Sequence, residues 1–491
     1  MGEINRNMDK IFILLSRITK SAKSMIKITK SYVKHIGLER LFLYILILFA
    51  AVSFLVIVEN DFDGETWDMG NDIIYADQAR VNNVPLIDYL FKKFPEGNTA
   101  TSAYETGVMF IPLWQTLVYA GWKIIGSIST SVRIWLALIG FSTIITLFFV
   151  GKSLYGLRVG FLAAITLATS IFYIIHVKSG FGYYAIMPLF VLLLFYFFYQ
   201  AHVQKKVKYL YYCGILIFLL LFNGWPTMAL AVQIMVVFML INFNFKKVLA
   251  IPKKIKIVLF QSIDGDEKSK LLGLKDYLVM GFIGGGLFFI SGILYSFYFK
   301  GQMFDVFEKI YIYWYSSRAS WIKYGQFLDP GVFFPNVSNL IQSFAWRMPF
   351  DERAGYLTTL ISPEVPIITH FTLLFFLIGI VILIKRRLLF DKFILIWLFF
   401  ELIGTTILAG FTARNWLFSA TCISLVTAIA IDKILIFFQK KLLKGILKNI
   451  IIGSIIIGFT YSALSAYNYY FFYFVKHNSF LGQTYKILPT R

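Results

Sequence analysis

The chain has 491 residues, of which 58% are hydrophobic, 19% aromatic and 15% charged, with a formal net charge of +21. Soluble chains carry about 25% charged residues, so this composition excludes a cytosolic globular enzyme, a disordered chain and a fibrous one. Repeated apolar runs of about 20 residues are satisfied in hydrocarbon as helices, whereas a membrane β-barrel would show ten-residue alternating strands. The expectation is an all-α integral membrane protein. Its positive charge reads as a membrane signal and not a nucleic-acid one, because Lys and Arg accumulate in cytoplasmic loops beside anionic lipid. Cys213 and Cys422 both lie in apolar runs, which leaves no disulfide framework and no zinc site.

Residues 1–38 form a basic segment. Lys20, Lys23, Lys27, Lys30 and Lys34 are spaced as on one helix face, with Ile18, Met25, Ile26 and Ile28 between them. The segment is either an amphipathic helix on the inner leaflet or a plain topogenic tail. No cleavable signal peptide is read here. The first apolar run, 41–58, follows nine Lys and Arg residues and reads as a signal anchor with a cytoplasmic N-terminus. Further apolar stretches fall near 108–125, 132–151, 159–176, 182–200, 209–222, 225–243, 277–299, 367–384, 393–411, 415–437 and 448–466.

The 108–125 stretch decides the topology. If it spans, the lysine-rich loops 205–208 and 246–275 fall outside, against the charge rule. If it lies on the outer surface, eleven spans remain. The inner side then holds 31 Lys and Arg with 10 Asp and Glu, and the outer side holds 16 of each, which accounts for the chain's totals of 47 and 26. The stretch is therefore expected to be an interfacial helix. The expected organisation is a transmembrane domain over 39–466 and an outer C-terminal tail, 467–491. Within that domain, 59–131 forms a first outer loop and 300–366 a second large outer loop. Long loops of mixed aromatic and charged composition carry function more often than linkers do.

No Walker loop, dinucleotide fingerprint, HExxH or GxSxG elbow occurs. What stands out is ten acidic residues between Glu59 and Glu105, including Asp61, Asp63, Glu65, Asp68, Asp72, Asp77 and Asp88. A solvated acidic loop is the plain reading. Against it, Trp67, Tyr75 and Tyr89 interleave with the acids, and Gly70 and Pro85 punctuate the run as turn formers do.

The run WDMGNDIIYADQARVNNVPLIDYLF, residues 67–91, resembles the first outer loop of the GT-C glycosyltransferases. These include the protein O-mannosyltransferases (glycosyltransferase family 39) and the lipid A aminoarabinose transferases. In that loop an acidic D-x-G or D-E pattern precedes a "YA…AR" helix and a "G-x-P-Y-x-D" turn. This chain offers Asp68-Met69-Gly70, then Tyr75-Ala76 and Arg80, then Pro85 and Asp88. YETGVMFIPLWQTLVYAGWKIIG, residues 104–126, is similar to the family's Pro-rich segment on the membrane surface. Later stretches resemble the family in order: SVRIW with Arg133, HVKSGFGYYA with Lys178 where Arg is usual, NGWPT at 223–227, and TARNWLFSA with Arg414. There Asn415-Trp416 departs from the usual Arg-Tyr.

The resemblance implies a GT-C fold with about eleven transmembrane helices, and a sugar donor carried on polyprenyl phosphate. It implies no cofactor; a divalent metal is possible in such chemistry but not indicated here. The departing lipid phosphate gains negative charge that Arg or Lys stabilises, and the acceptor hydroxyl needs a carboxylate base. Aligned through Pro85 and Asp88, Asp68 takes the first acidic position and is expected to be the base, with Asp72 as its rival. Asp88 is either a second, acceptor-positioning acid or a helix N-cap. Arg414 is expected to hold the phosphate, the alternative being simple snorkelling to the interface. Lys178 is a second cation, and His176 either bonds acceptor or phosphate or is a satisfied surface histidine. Arg318, Arg347 and Arg353 are placed to close over the lipid head. The aromatic string at 311–325 suits sugar stacking and an interface belt equally. Glu401, inside an apolar run, needs a partner or a proton.

The implied partners are a polyprenyl-phosphate-linked sugar, membrane lipid, and an acceptor protein, lipid or glycan. The implied place is the plasma membrane, multi-pass, with the active site on the outer face. Two other classes stay open: an O-antigen ligase or polysaccharide polymerase, which leans on Arg and His in a late loop, and a transporter or flippase, which would carry repeats and mid-membrane charges.

Overall fold

The structure is a computed structural model. It describes residues 37–55, 76, 79–86, 112–178, 182–223, 231, 232, 234–238, 274–290, 293, 334, 368–401, 413–441 and 446–468. These residues are almost wholly helical, and no strand occurs among them. Met1–Phe49 and Ala50–Arg491 form two compact units, the division falling inside α1 (Leu38–Leu55).

In the larger unit, α2 (Pro112–Ile125) leads through a tight turn at Gly126 into α3 (Ile128–Tyr155). Ser127 caps α3 by accepting from the Thr130 N–H. α2 is fourteen residues long, short of the about 20 a span needs. Trp114, Gln115, Val118, Gly121 and Trp122 make its buried stripe, while Lys123 and Ile124 are exposed. At Gly121 a β-carbon would lie 2.8 Å from that of Ser131, so only glycine permits this approach to α3.

α3 turns into α4 (Leu157–Ala168) at Gly156, whose φ of 99° excludes ordinary L-residues. α4 breaks at Thr169 and Ser170 and continues as α5 (Ile171–Lys178), bent by 60°. α6 (Gly182–Gln204) and α7 (Lys208–Phe222) follow as neighbours, then α8 (Leu274–Gly281) and a π-helical turn (Phe282–Gly286) that packs on α7. The C-terminal part contains α9 (His370–Arg386), α10 (Leu389–Glu401), a 3₁₀ helix (Ala413–Ser419), α11 (Ala420–Lys441) and α12 (Ile446–Asn468). The core joins α3, α4, α11 and α9 in sequence, with α6 against α3, α7 and the 3₁₀ helix.

Three helices among the described residues are long and apolar enough to cross a membrane: Thr130–Tyr155, Tyr184–Gln204 and Trp416–Phe438, or four if the bent α4–α5 pair counts as one. These coincide with spans read from the sequence. The other expected spans are shorter apolar helices here or lie partly or wholly outside the described residues. The expected straight run over 159–176 is instead two helices. At the break, Thr166 and Thr169 donate back to the carbonyls of Leu162 and Ile165 at 2.7 and 2.9 Å, a pattern that weakens a helix locally and often accompanies a bend.

One end of the bundle is basic. The turn between α6 and α7 carries Lys205, Lys206 and Lys208. The turn between α9 and α10 carries Lys385, Arg386 and Arg387, and it meets the α3–α4 turn where the Tyr155 hydroxyl donates to Asp391 at 2.8 Å. Gln200 near the end of α6 reaches Ser153 of α3 at 3.5 Å, which brings α6's C-terminal end to the same place.

Candidate functional site

The opposite end gathers buried polar groups at helix termini. Lys178 closes α5, and four residues later α6 begins. α7 runs antiparallel to α6, with the Cys213 sulfur 3.7 Å from the Leu194 carbonyl. Ten residues onward from Cys213 stands Asn223, and ten residues back from Leu194 stands Tyr184. At about 1.5 Å per residue the two lie at one level. α10 is likewise antiparallel to α6, since Phe390 packs on Tyr199 and Trp397 on Phe195. Glu401, the last residue of α10, stands four residues beyond Trp397 and so level with about Val191, near the middle of α6. Asn223, Tyr184 and Glu401 are all essentially inaccessible, at 0%, 1% and 0% exposure.

Of the residues expected to carry function, His176 and Lys178 stand in the last turn of α5. His176 is fully buried and thus is not the surface histidine offered as its plain reading. Its Nδ1 lies 2.8 Å from the Phe172 carbonyl. A carbonyl only accepts, so Nδ1 carries the proton and, in the neutral ring, Nε2 is the acceptor. The ring sits 4.2 Å from that of Phe172. The Lys178 Nζ is buried, 5.5 Å over the ring of Phe54 in α1, a cation–π arrangement. Phe54 in turn packs edge-on against Tyr173 at 6.1 Å. The cation is thus held in an aromatic setting and not merely snorkelling to water.

Arg414 lies in the 3₁₀ helix, which packs on α5, α6, α10 and α11. Its backbone is therefore carried on an element adjacent to the helix of His176 and Lys178; its side chain lies outside what is described. Asp68, Asp72 and Asp88 of the first loop, and Arg318, Arg347 and Arg353 of the second, lie outside the described residues. Among the described residues no three His, Cys, Asp or Glu side chains gather as a metal site would.

Sequence reading missed Phe54, Gln115 and Tyr184. Phe54 sits in an apolar run where nothing sets it apart. Gln115 is a polar residue on the buried stripe of α2, 2% exposed, and that position in the helical period was its available signal.

Comparisons agree with this architecture. Residues 111–261 match the family model for dolichyl-phosphate-mannose-protein mannosyltransferase. A search of curated proteins finds no match. Among solved structures, ArnT from Cupriavidus metallidurans bound to undecaprenyl phosphate is similar over 91% of this chain and 78% of its own, at 11% identity and a TM-score of 0.52. The fold is GT-C. The archaeal oligosaccharyltransferase AglB from Archaeoglobus fulgidus, in complex with an inhibitory peptide and a dolichol-phosphate, matches 92% of this chain at 14% identity with a TM-score of 0.49. The chain spans just over half of AglB's length, the match taking in 56% of it. The resemblance read from the order of the motifs thus holds for the fold and for the family model over 111–261. Within the segment matched by the family model fall α2 to α7, including His176, Lys178 and Asn223.

Proposed function

We propose that this protein is a membrane glycosyltransferase that moves a sugar, hexosyl or pentosyl, from a polyprenyl-phosphate donor to an acceptor on the non-cytoplasmic face of the plasma membrane. The observation that carries the reading is the buried Lys178 at the bundle end away from the lysine-rich turns, inside a GT-C fold. A lysine held among Phe54 and the end of α5 is set to meet an anion that arrives through the hydrocarbon, and a lipid phosphate is such an anion. Further support comes from the positive-inside rule, which places the opposite, basic end in the cytoplasm.

In this reading Arg414 and Lys178 hold the phosphate and stabilise the charge it gains as the glycosidic bond breaks. His176 and Asp88 orient the acceptor. Arg318, Arg347 and Arg353 close over the lipid head. Asp68 takes the acceptor hydroxyl's proton as that oxygen attacks the anomeric carbon; Asp72 is the rival for this role. One base and one phosphate clamp suffice for a single inverting displacement, and no covalent intermediate or cofactor enters.

The test is transfer in proteoliposomes loaded with a radiolabelled polyprenyl-phosphate sugar. Asp68→Asn is expected to lower kcat by about 10²-fold or more while leaving donor binding in place. Full retained activity removes Asp68 as base, and the same loss in Asp72→Asn alone would assign the role to Asp72. No transfer by the wild-type protein from any polyprenyl-phosphate sugar would end the proposal.

A further inference from the structure

A pocket lies in the half of the bundle that also holds Lys178. Its wall is the break between α4 and α5, faced by the start of α9, the first two turns of α11, and Ser462 of α12. Its cavity volume is about 30 Å³, where about 10–15 Å³ of such space holds one water.

The lining is apolar apart from hydroxyls, and no charged side chain takes part. Four of the hydroxyls donate back to carbonyls on their own segments. Thr166 and Thr169 bond to Leu162 and Ile165 as described, Ser424 bonds to Ala420 at 2.9 Å, and Thr372 bonds to Thr369 at 3.1 Å. Each therefore keeps acceptor capacity for something else. Thr427 and Ser462 are 0% and 4% exposed, and their hydroxyl oxygens have no hydrogen-bond partner among the described residues. A buried hydroxyl left so costs about 1–3 kcal/mol.

The broken helix adds to this demand. A helix break releases the last carbonyls of α4 and the first N–H groups of α5 from the continuous ladder. In a membrane protein such groups are tolerated where they line a polar cavity. Here Tyr173 N–H turns to the Ser170 hydroxyl at 3.3 Å, so one of the released donors is met by a residue of the pocket's own wall.

The lining thus offers free acceptors, two uncommitted hydroxyls and no charge. An ion finds no counter-charge here. A molecule that both donates and accepts, and makes two to four such bonds in a small space, fits. We propose that this pocket is a binding site for a cluster of ordered waters that bridges the α4–α5 break to Thr427 of α11 and Ser462 of α12. The waters satisfy the two buried hydroxyls and join four helices that meet there without a charged pair.

X-ray radiolytic footprinting in H₂¹⁸O tests this, because bound water labels side chains that bulk solvent does not reach. Ile423 and Phe172, pocket residues that are themselves buried, are expected to take up ¹⁸O in the wild-type protein. Thr427→Val, which keeps the shape and removes the hydroxyl, is expected to cut that labelling at least threefold and to lower the thermal midpoint. Ser462→Ala provides the same readout should Thr427→Val fail to fold. Absence of label at both residues, while exposed aromatics are labelled, overturns the proposal. So does a raised midpoint in Thr427→Val, the response of a dry pocket in which an unsatisfied hydroxyl has been removed.

Discussion

The carboxylate of Asp391 accepts four hydrogen bonds. Arg386 gives two through its Nε and Nη2 at 2.7 and 2.6 Å, the Tyr155 hydroxyl gives one at 2.8 Å, and the Leu388 N–H gives one at 3.0 Å. Arg386 also lies over the Tyr155 ring, 4.9 Å from its centre. The bidentate fork is the strong form of this pair. The geometry depends on Arg387, whose φ of 52° ends α9 and folds the chain back so that Asp391, at the third position of α10, reaches the N–H before that helix. Asp391 is wholly buried, so removing it leaves Arg386 and Tyr155 without their acceptor. Asp391→Ala is expected to cost about 3–5 kcal/mol, read as a lowered thermal midpoint in detergent. The double variant Asp391→Leu with Arg386→Met is expected to recover much of that loss, since neither charge is then stranded. In the sequence this cluster is only a basic loop, RRLLFDK. The acid three residues into an apolar run was a capping signal open to reading, but Tyr155 lies 236 positions away and no local pattern names it.

At the scale of the helix, close approach is set by glycines. Gly151 of α3 and Gly160 of α4 face each other, and a β-carbon on Gly151 would meet the Gly160 Cα at 2.8 Å. One on Gly160 would meet the Phe148 carbonyl at 2.5 Å. Backbone, not a flexible side chain, stands in the way, so the neighbours have no rotamer with which to yield. Gly160→Leu is expected to push α4 off α3 and to cost more than the about 1–3 kcal/mol of ordinary overpacking, with loss of folded protein on size-exclusion chromatography. Gly453, which has open space at its β-position, is the control: Gly453→Ala leaves the elution profile unchanged. Element positions were legible because apolar runs and their basic flanks follow directly from the cost of placing backbone and charge in hydrocarbon. The bend at Thr169 and Ser170 was not, because hydroxyls that bond back to their own helix also occur in straight spans.

At the scale of the molecule, the two ends of the bundle differ in charge and burial. Lysines and arginines crowd the turns at one end, while buried His176, Tyr184 and Asn223 and the buried Nζ of Lys178 mark the other. Charge counting made this polarity legible, and the order of the weak motifs made the GT-C fold legible. Of the expected site, the placement of His176 and Lys178 at one helix end followed from the sequence, but the aromatic cover that Phe54 gives Lys178 did not. That contact joins residues 54 and 178 through tertiary packing, which carries no periodic trace. In the proposed function a lipid phosphate docks at the end where α5 and the 3₁₀ helix meet. The most direct measurement is photo-crosslinking with undecaprenyl phosphate bearing a diazirine next to its phosphate, followed by peptide mapping. Adducts within 171–178 and 413–419 are the predicted result. Adducts confined to the lysine-rich turns at 205–208 and 385–387 would contradict it.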